Sequence, residues 1–264
     1  MSQSHVTVNV NADWNTFNPR EYLHMWYTHP TEEITATLDF LREAYLQVAP
    51  DARVLDVCCG PTVYQYMAAA PRVAEIHGAD FLEHNLDEIR QWCTSAPNGH
   101  TWDYILAEAL RLEGLNPPTQ ADIDGRAAMV RQKLTRLDWC DVRQPHIFNE
   151  PTGRVYDVVS NCYGTDVVAS TVEEWDEYLG NCCSVLKPGG LLIMTLIKEA
   201  QWWPSGDLIM PALALNETHV VDTLTKLGFI PDSITIVTHT VEDASDAGYS
   251  DIIFVTATLG AAVA

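Results

Sequence analysis

The stretch Val54-Leu55-Asp56-Val57 followed by Cys58-Cys59-Gly60-Pro61-Thr62-Val63-Tyr64-Gln65 constrains this chain more than any other. A short, mostly apolar and β-branched run suits a strand buried on both faces of a parallel sheet. Cys58-Cys59-Gly60-Pro61 then turns the backbone, Pro61 stops the strand, and Thr62 is placed to cap a following helix. Strand, tight turn and helix N-terminus together set backbone N–H groups against a small, charged, nucleotide-like ligand. The stretch lacks the Gly-x-Gly-x-x-Gly of dinucleotide binders and the Gly-x-x-x-x-Gly-Lys of phosphate loops. An ordinary βα turn is the bland alternative.

The rest of the chain repeats the alternation. Strands are expected at 73–80, 137–142, 155–163, 191–197, 233–240 and 251–258, the last two as an antiparallel pair. Helices are expected at 31–48, 64–70, 85–92, 102–112, 120–134, 171–186 and 217–227, with Lys187-Pro188-Gly189-Gly190 closing the sixth. Such an order predicts an α/β fold, Rossmann-like, with an open seven-stranded, mostly parallel sheet and an antiparallel last strand. At 264 residues, 47% of them apolar, one domain is the natural size, with 1–50 as tail and lid and 94–135 as a helical insertion.

Composition excludes several classes. A net charge of −21 repels nucleic acid and anionic membrane, although acidic surfaces also simply keep proteins soluble. Seven cysteines, including the neighbours Cys58-Cys59 and Cys182-Cys183, form no disulfide or zinc pattern, so no metal is expected. Residues 1–13 lack the apolar core of a signal peptide, and no run reaches membrane-spanning length. A reduced cytoplasm and a monomer are the expectations.

Acids fall at strand ends. Asp56 ends the first strand and Asp80 the second, 24 residues on, where an acid accepts from both ribose hydroxyls of a nucleotide. A cap for the next helix is the alternative for Asp80. Asp141-Val142, ending the third strand, offers an acceptor and an N–H that would read adenine. Trp14, Phe17, Tyr22, Trp26 and Tyr27 crowd the stretch before the first long helix. Either they form a lid stacking on a flat ligand, or they staple that helix.

Several of these segments together resemble one family. Phe17-Asn18-Pro19-Arg20-Glu21-Tyr22-Leu23 with Tyr27, Gly60-Pro61-Thr62-Val63-Tyr64-Gln65, Asp80-Phe81 with Asn85-Leu86, Cys140-Asp141-Val142 and Leu186-Lys187-Pro188-Gly189-Gly190 stand in order and at compatible spacing. The chain is similar to the nicotinamide/phenylethanolamine/thioether methyltransferases that use S-adenosylmethionine (SAM). That resemblance implies Tyr22 and Tyr27 closing over SAM, Cys58, Gly60, Thr62 and Tyr64 at its methionine part, Asp80 and Asn85 at the ribose, and Asp141 and Val142 at the adenine. Asn161 would touch cofactor and acceptor, with Tyr163, Thr195 and Trp202 around the acceptor.

Two departures stand out. Family members usually read Gly-Ser-Gly-Pro-Thr where this chain has Cys58-Cys59-Gly60, which adds a side chain near the methionine portion. Amine-methylating relatives carry an acid at the end of the fifth strand, where this chain has Thr195. Methyl transfer to a small amine, N-heterocycle or thiol is the leading expectation, by alignment in an aromatic, water-poor pocket. The first alternative takes SAM as sole substrate, its α-amine attacking its own γ-carbon to give azetidine-2-carboxylate and methylthioadenosine. The second is a non-catalytic SAM-binding protein.

Overall fold

Arg53–Val57 (β1) carries the buried run and pairs in parallel with Glu75–Asp80 (β2) on one side and Tyr156–Cys162 (β4) on the other. The computed structural model describes residues 13–241, 248–249 and 251–261, so the expected tail at 1–12 lies outside it. Leu134–Trp139 (β3), Leu186–Lys198 (β5), Thr235–Thr240 (β8) and Asp251–Thr258 (β9) complete a sheet of order β3-β2-β1-β4-β5-β9-β8. Only β9 runs against its neighbours, pairing antiparallel with both β5 and β8. The seven-stranded Rossmann-like α/β sheet is therefore as expected.

Alternation along the strands sets the two larger of three core clusters on opposite faces of the sheet. Val54, Val158 and Ile193 face one cluster, packed by Glu32–Tyr45 (α2), Tyr64–Ala69 (α3), Glu83–Cys93 (α4), Asp103–Leu112 (α5) and Gln120–Lys133 (α6). Leu55, Val159 and Leu192 face the other, packed by Val172–Cys183 (α8) and Glu217–Lys226 (α9). Leu41, Leu55, Ile76, Leu179 and Leu224 are fully buried, each contributing roughly 1.5–3 kcal/mol of transfer free energy.

The differences from expectation have local causes. Pro19–Tyr27 (α1) is a helix in a stretch the sequence reading left as an aromatic segment: Asn18 accepts from the Arg20 and Glu21 amides, and Pro19 takes the first helical position. β3 begins at Leu134, not Leu137, and ends at Trp139, not Val142, so Asp141 and Val142 lie in the loop beyond it. Lys187-Pro188-Gly189-Gly190 lies inside β5 as a bulge rather than closing a helix, since Leu186 pairs with Tyr156 but Leu191 with Val158. A hairpin of Trp202–Ser205 (β6) and Leu208–Pro211 (β7) was missed, though Gly206-Asp207 is a two-residue turn signal. Among the described residues no helix is long and apolar enough to cross a membrane, and no cluster of His, Cys, Asp and Glu could hold a metal ion.

Candidate active site

A cleft opens at the C-terminal ends of β1 to β4, concave and lined mostly by apolar side chains, as small-molecule sites usually are. Asp80, the last residue of β2, is its polar centre. Its Oδ2 accepts from the Gly60 amide at 2.8 Å, and its Oδ1 from the Leu82 amide at 2.8 Å and Asn85 Nδ2 at 3.0 Å. Burial raises the Asp80 pKa, and these three donors oppose the rise. A carboxylate offers about four acceptor sites, so room remains for another donor. Asn85 Oδ1, buried at the same wall, has no hydrogen-bond partner.

The turn after β1 reaches the cleft through Cys58, Gly60 and Pro61. Gly60 has φ +59°, at no cost to a residue without Cβ. Cys58 has φ +56°, a left-handed conformation that costs an L-residue about 1–2 kcal/mol. Its Cβ fits because residue 164 is glycine: a Cβ there would stand 2.6 Å from that of Cys58 and 2.6 Å from Asn161 Nδ2. Thr62 and Tyr64 stand behind the turn. Neither lines the cleft, and Val63, not Thr62, is the N-cap residue of α3. The Thr62 hydroxyl instead shares its one proton between the Cys59 carbonyl and Gln65 Oε1, each 3.0 Å away, while Gln65 Nε2 donates to Asp56 Oδ2 at 2.9 Å. The Tyr64 ring stacks on Tyr27, centroids 5.3 Å apart. Both support the turn from behind.

Val142 and Asp141 line the far wall, and Asp141 is engaged already. Arg143 donates to its Oδ1 through Nε at 2.7 Å and to its Oδ2 through Nη2 at 2.9 Å. Burial pushes the Asp141 pKa up, but the Arg143 hydrogen bonds and charge outweigh it and hold the carboxyl below its usual value. The Arg143 guanidinium also lies 4.5 Å over the Phe81 ring, making a flat edge that sequence reasoning did not foresee. Phe81 follows the strand-end acid directly, and that adjacency was the available signal.

Asn161 and Thr195 also lie away from the cleft. Asn161 is fully buried; its Nδ2 donates to the Val57 carbonyl at 2.8 Å and its Oδ1 accepts from the Thr165 amide and hydroxyl. It ties the ends of β1 and β4 to the short helix Thr165–Val168 (α7) and touches neither cavity. Thr195 is fully buried inside β5, opposite Cys162 and Phe254, because the strand runs on to Lys198. Ile197, one pleat further, is the β5 residue that reaches a second cavity beside the cleft.

That second cavity adjoins the first. Tyr22, Tyr163, Val167 and Trp203 line both. Tyr22 meets the Trp203 ring edge-on at 5.6 Å and its hydroxyl lies 3.2 Å from that of Tyr27. Burial pushes the Tyr22 phenol up to about 12, so it stays neutral at ordinary pH. Tyr27 lines only the second cavity, and Tyr163, bonded at 2.8 Å to the Thr37 hydroxyl, stands between the two. Trp203 faces the cavities, whereas Trp202 lies against Gly248.

A family model, NNMT/PNMT/TEMT, matches residues 5–259. The chain belongs to the NNMT/PNMT/TEMT family. Human phenylethanolamine N-methyltransferase is 24% identical over 230 residues, covering 83% of this chain and 80% of its own length. Pig nicotinamide N-methyltransferase is 25% identical over 232 residues, with 84% and 85% covered. Among solved structures, the fold is similar to magnesium protoporphyrin IX methyltransferase from Synechocystis with bound SAM, at TM-score 0.55 and 14% identity over 91% of this chain and 90% of that one. It is also similar to a SAM-dependent methyltransferase from Clostridium acetobutylicum, at TM-score 0.52 and 13% identity over 92% and 97%. As a member of the NNMT/PNMT/TEMT family, the chain is a SAM-dependent methyltransferase of small molecules. Cyclisation of SAM is not favoured by these relationships. The first cavity fits the cofactor by its donor set: Asp80 and the unpartnered Asn85 Oδ1 are acceptors suited to a ribose diol, beside the apolar walls of Phe81, Leu82 and Val142.

Proposed function

We propose that the first cavity takes SAM and the second takes the methyl acceptor, a small amine, N-heterocycle or thiol. The observation carrying this reading is the common wall of Tyr22, Tyr163, Val167 and Trp203, which gives two cavities one meeting point. Asp80 and Asn85 would hold the ribose, Phe81, Leu82 and Val142 the base, and the Cys58–Gly60 turn the methionine part. Tyr22 and Trp203 would face the sulfur. Bound there, SAM supplies an electrophilic methyl carbon on a cationic sulfonium. Aromatic rings suit a cation whose charge disperses during transfer, and Phe17, Tyr22 and Trp203, with centroids 5.4–6.2 Å apart, exclude water from it. Tyr27, Thr62, Tyr64 and Asn161 act by holding the walls.

The acidic surface supports a small-molecule partner rather than nucleic acid or membrane, and we assign the protein to the cytoplasm as a monomer. The test is to incubate the pure protein with SAM, with and without a panel of amines, N-heterocycles and thiols, and to identify the products by mass spectrometry. S-adenosylhomocysteine formed only when an acceptor is present is the expected result. Methylthioadenosine accumulating without acceptor would overturn the reading.

A further inference from the structure

Among the described residues, one acid lines the second cavity. Glu33 lies in the first turn of α2 and faces the cavity among Tyr22, Trp26, Tyr27 and Trp203. The Tyr249 hydroxyl, which reaches in from the segment before β9, donates to Glu33 Oε2. First-turn acids are common because the helix dipole favours them, and that alone would explain a surface glutamate. Glu32 beside it is one, exposed and 3.5 Å from His239. Glu33 differs in turning into an aromatic enclosure. There an unpaired carboxylate is costly, whereas an ammonium would find both a counter-ion and ring faces.

We infer that Glu33, oriented by Tyr249, binds the acceptor's nitrogen, so that the acceptor is a small primary or secondary amine with an apolar body. The inference rests on the proposal that the acceptor occupies this cavity, and it supplies the acid that the fifth strand lacks at Thr195 and Ile197. The amine arrives as ammonium and is not nucleophilic until it loses a proton. Glu33 can take it: one N–H bond breaks, one O–H bond forms, and the electron pair stays on nitrogen. Burial pushes the Glu33 carboxyl up to about 7, against the Tyr249 hydrogen bond, which makes it a better base than an exposed glutamate.

Other titratable groups surround it. Tyr22 and Tyr27 of α1, Tyr163 and Tyr249 are all pushed up by burial and stay neutral near pH 7. Asp166 of α7 is also raised to about 7 by burial, and its Oδ2 accepts from the Ile197 amide. Of these described groups, Glu33 and Asp166 change charge near neutrality, and of the two only Glu33 lines the cavity.

The experiment titrates the full-length protein, saturated with S-adenosylhomocysteine, with 2-phenylethylamine and with its neutral counterpart 2-phenylethanol, by calorimetry. The amine is expected to bind at least about tenfold more tightly at pH 8, the size of one charged hydrogen bond. Because Glu33 must be ionised to hold an ammonium, the preference grows as pH rises from 5 to 8. Glu33→Gln abolishes both the preference and its pH dependence, and Tyr249→Phe reduces the preference while the protein stays folded by circular dichroism. An amine that binds no better than the alcohol, including no binding by either, overturns the inference. So does Glu33→Gln with its preference intact, which would point to Asp166. A Glu33-dependent preference without any methylated product from the acceptor panel would leave this amine site standing and remove the methyl-transfer reading.

Discussion

The two cavities are made in different ways. The first rests on turns that directly follow adjacent parallel strands, and Gly60, Asp80 and Val142 reach it from β1, β2 and β3 in succession. The second is assembled from remote pieces: α1, α2, the end of β5, the β6–β7 hairpin and the residues before β9. Rigid neighbouring strand ends hold one ligand in one place. Pieces joined by loops can change separately, so the second cavity is where acceptor choice can drift while the donor site stays fixed.

The largest expected effect breaks the first cavity alone. Asp80→Ala removes the acceptor of two backbone amides and of Asn85, and with it the proposed ribose contact. Losing a charged hydrogen bond of about 1.5–3 kcal/mol predicts an SAM dissociation constant raised by about 10- to 150-fold. Calorimetry with SAM checks it. An unchanged constant would show that the cleft is not the donor site. The comparison is sharpened next by Gly164→Ala, whose Cβ meets Cys58 and Asn161 at 2.6 Å. Overpacking of that kind costs about 1–3 kcal/mol, measured by urea unfolding.

Trp203→Ala tests the common wall. Its ring borders both cavities, so KM should rise for SAM and for acceptor together, each by about tenfold for the loss of one aromatic contact surface. A rise in only one KM would mean that the cavities serve independent ligands. Initial-rate kinetics with each substrate varied in turn decide between the two.

The same division explains what could be read from the sequence. The donor cleft was legible because strand, turn and helix follow one another within a dozen residues, and acids at strand ends announce themselves by position: Asp80 is the example. The roles first given to Thr62, Tyr64, Asn161 and Thr195 were less legible. Each belongs to a segment that forms the site, but the direction of a side chain depends on a turn or strand boundary to within one residue. Thr195 shows this directly, since extending β5 to Lys198 moved the reachable position to Ile197. Glu33 and Tyr249 are 216 residues apart and meet only because α2 packs against the strand that follows Tyr249, a pairing that no local pattern encodes.

Cys58→Gly is the smallest effect and the most informative about the donor turn. The left-handed conformation at Cys58 costs an L-residue about 1–2 kcal/mol, and glycine would remove that cost. Against it, glycine adds about 0.5–1 kcal/mol of unfolded-chain entropy, and the partly buried thiol loses its packing against the second core cluster. These terms nearly cancel, so the stability change should stay within about 1 kcal/mol by urea unfolding. SAM affinity should change little as well, because Gly60 and Asp80 keep the turn. The double variant with Gly164→Ala is the stringent case. Removing the Cys58 Cβ relieves one of the two close approaches and leaves that to Asn161 Nδ2, so the cycle should recover part of the Gly164→Ala loss and not all of it. Strict additivity would mean that Cys58 and Gly164 do not share space, and that the cysteine at this turn is accommodated elsewhere in the fold.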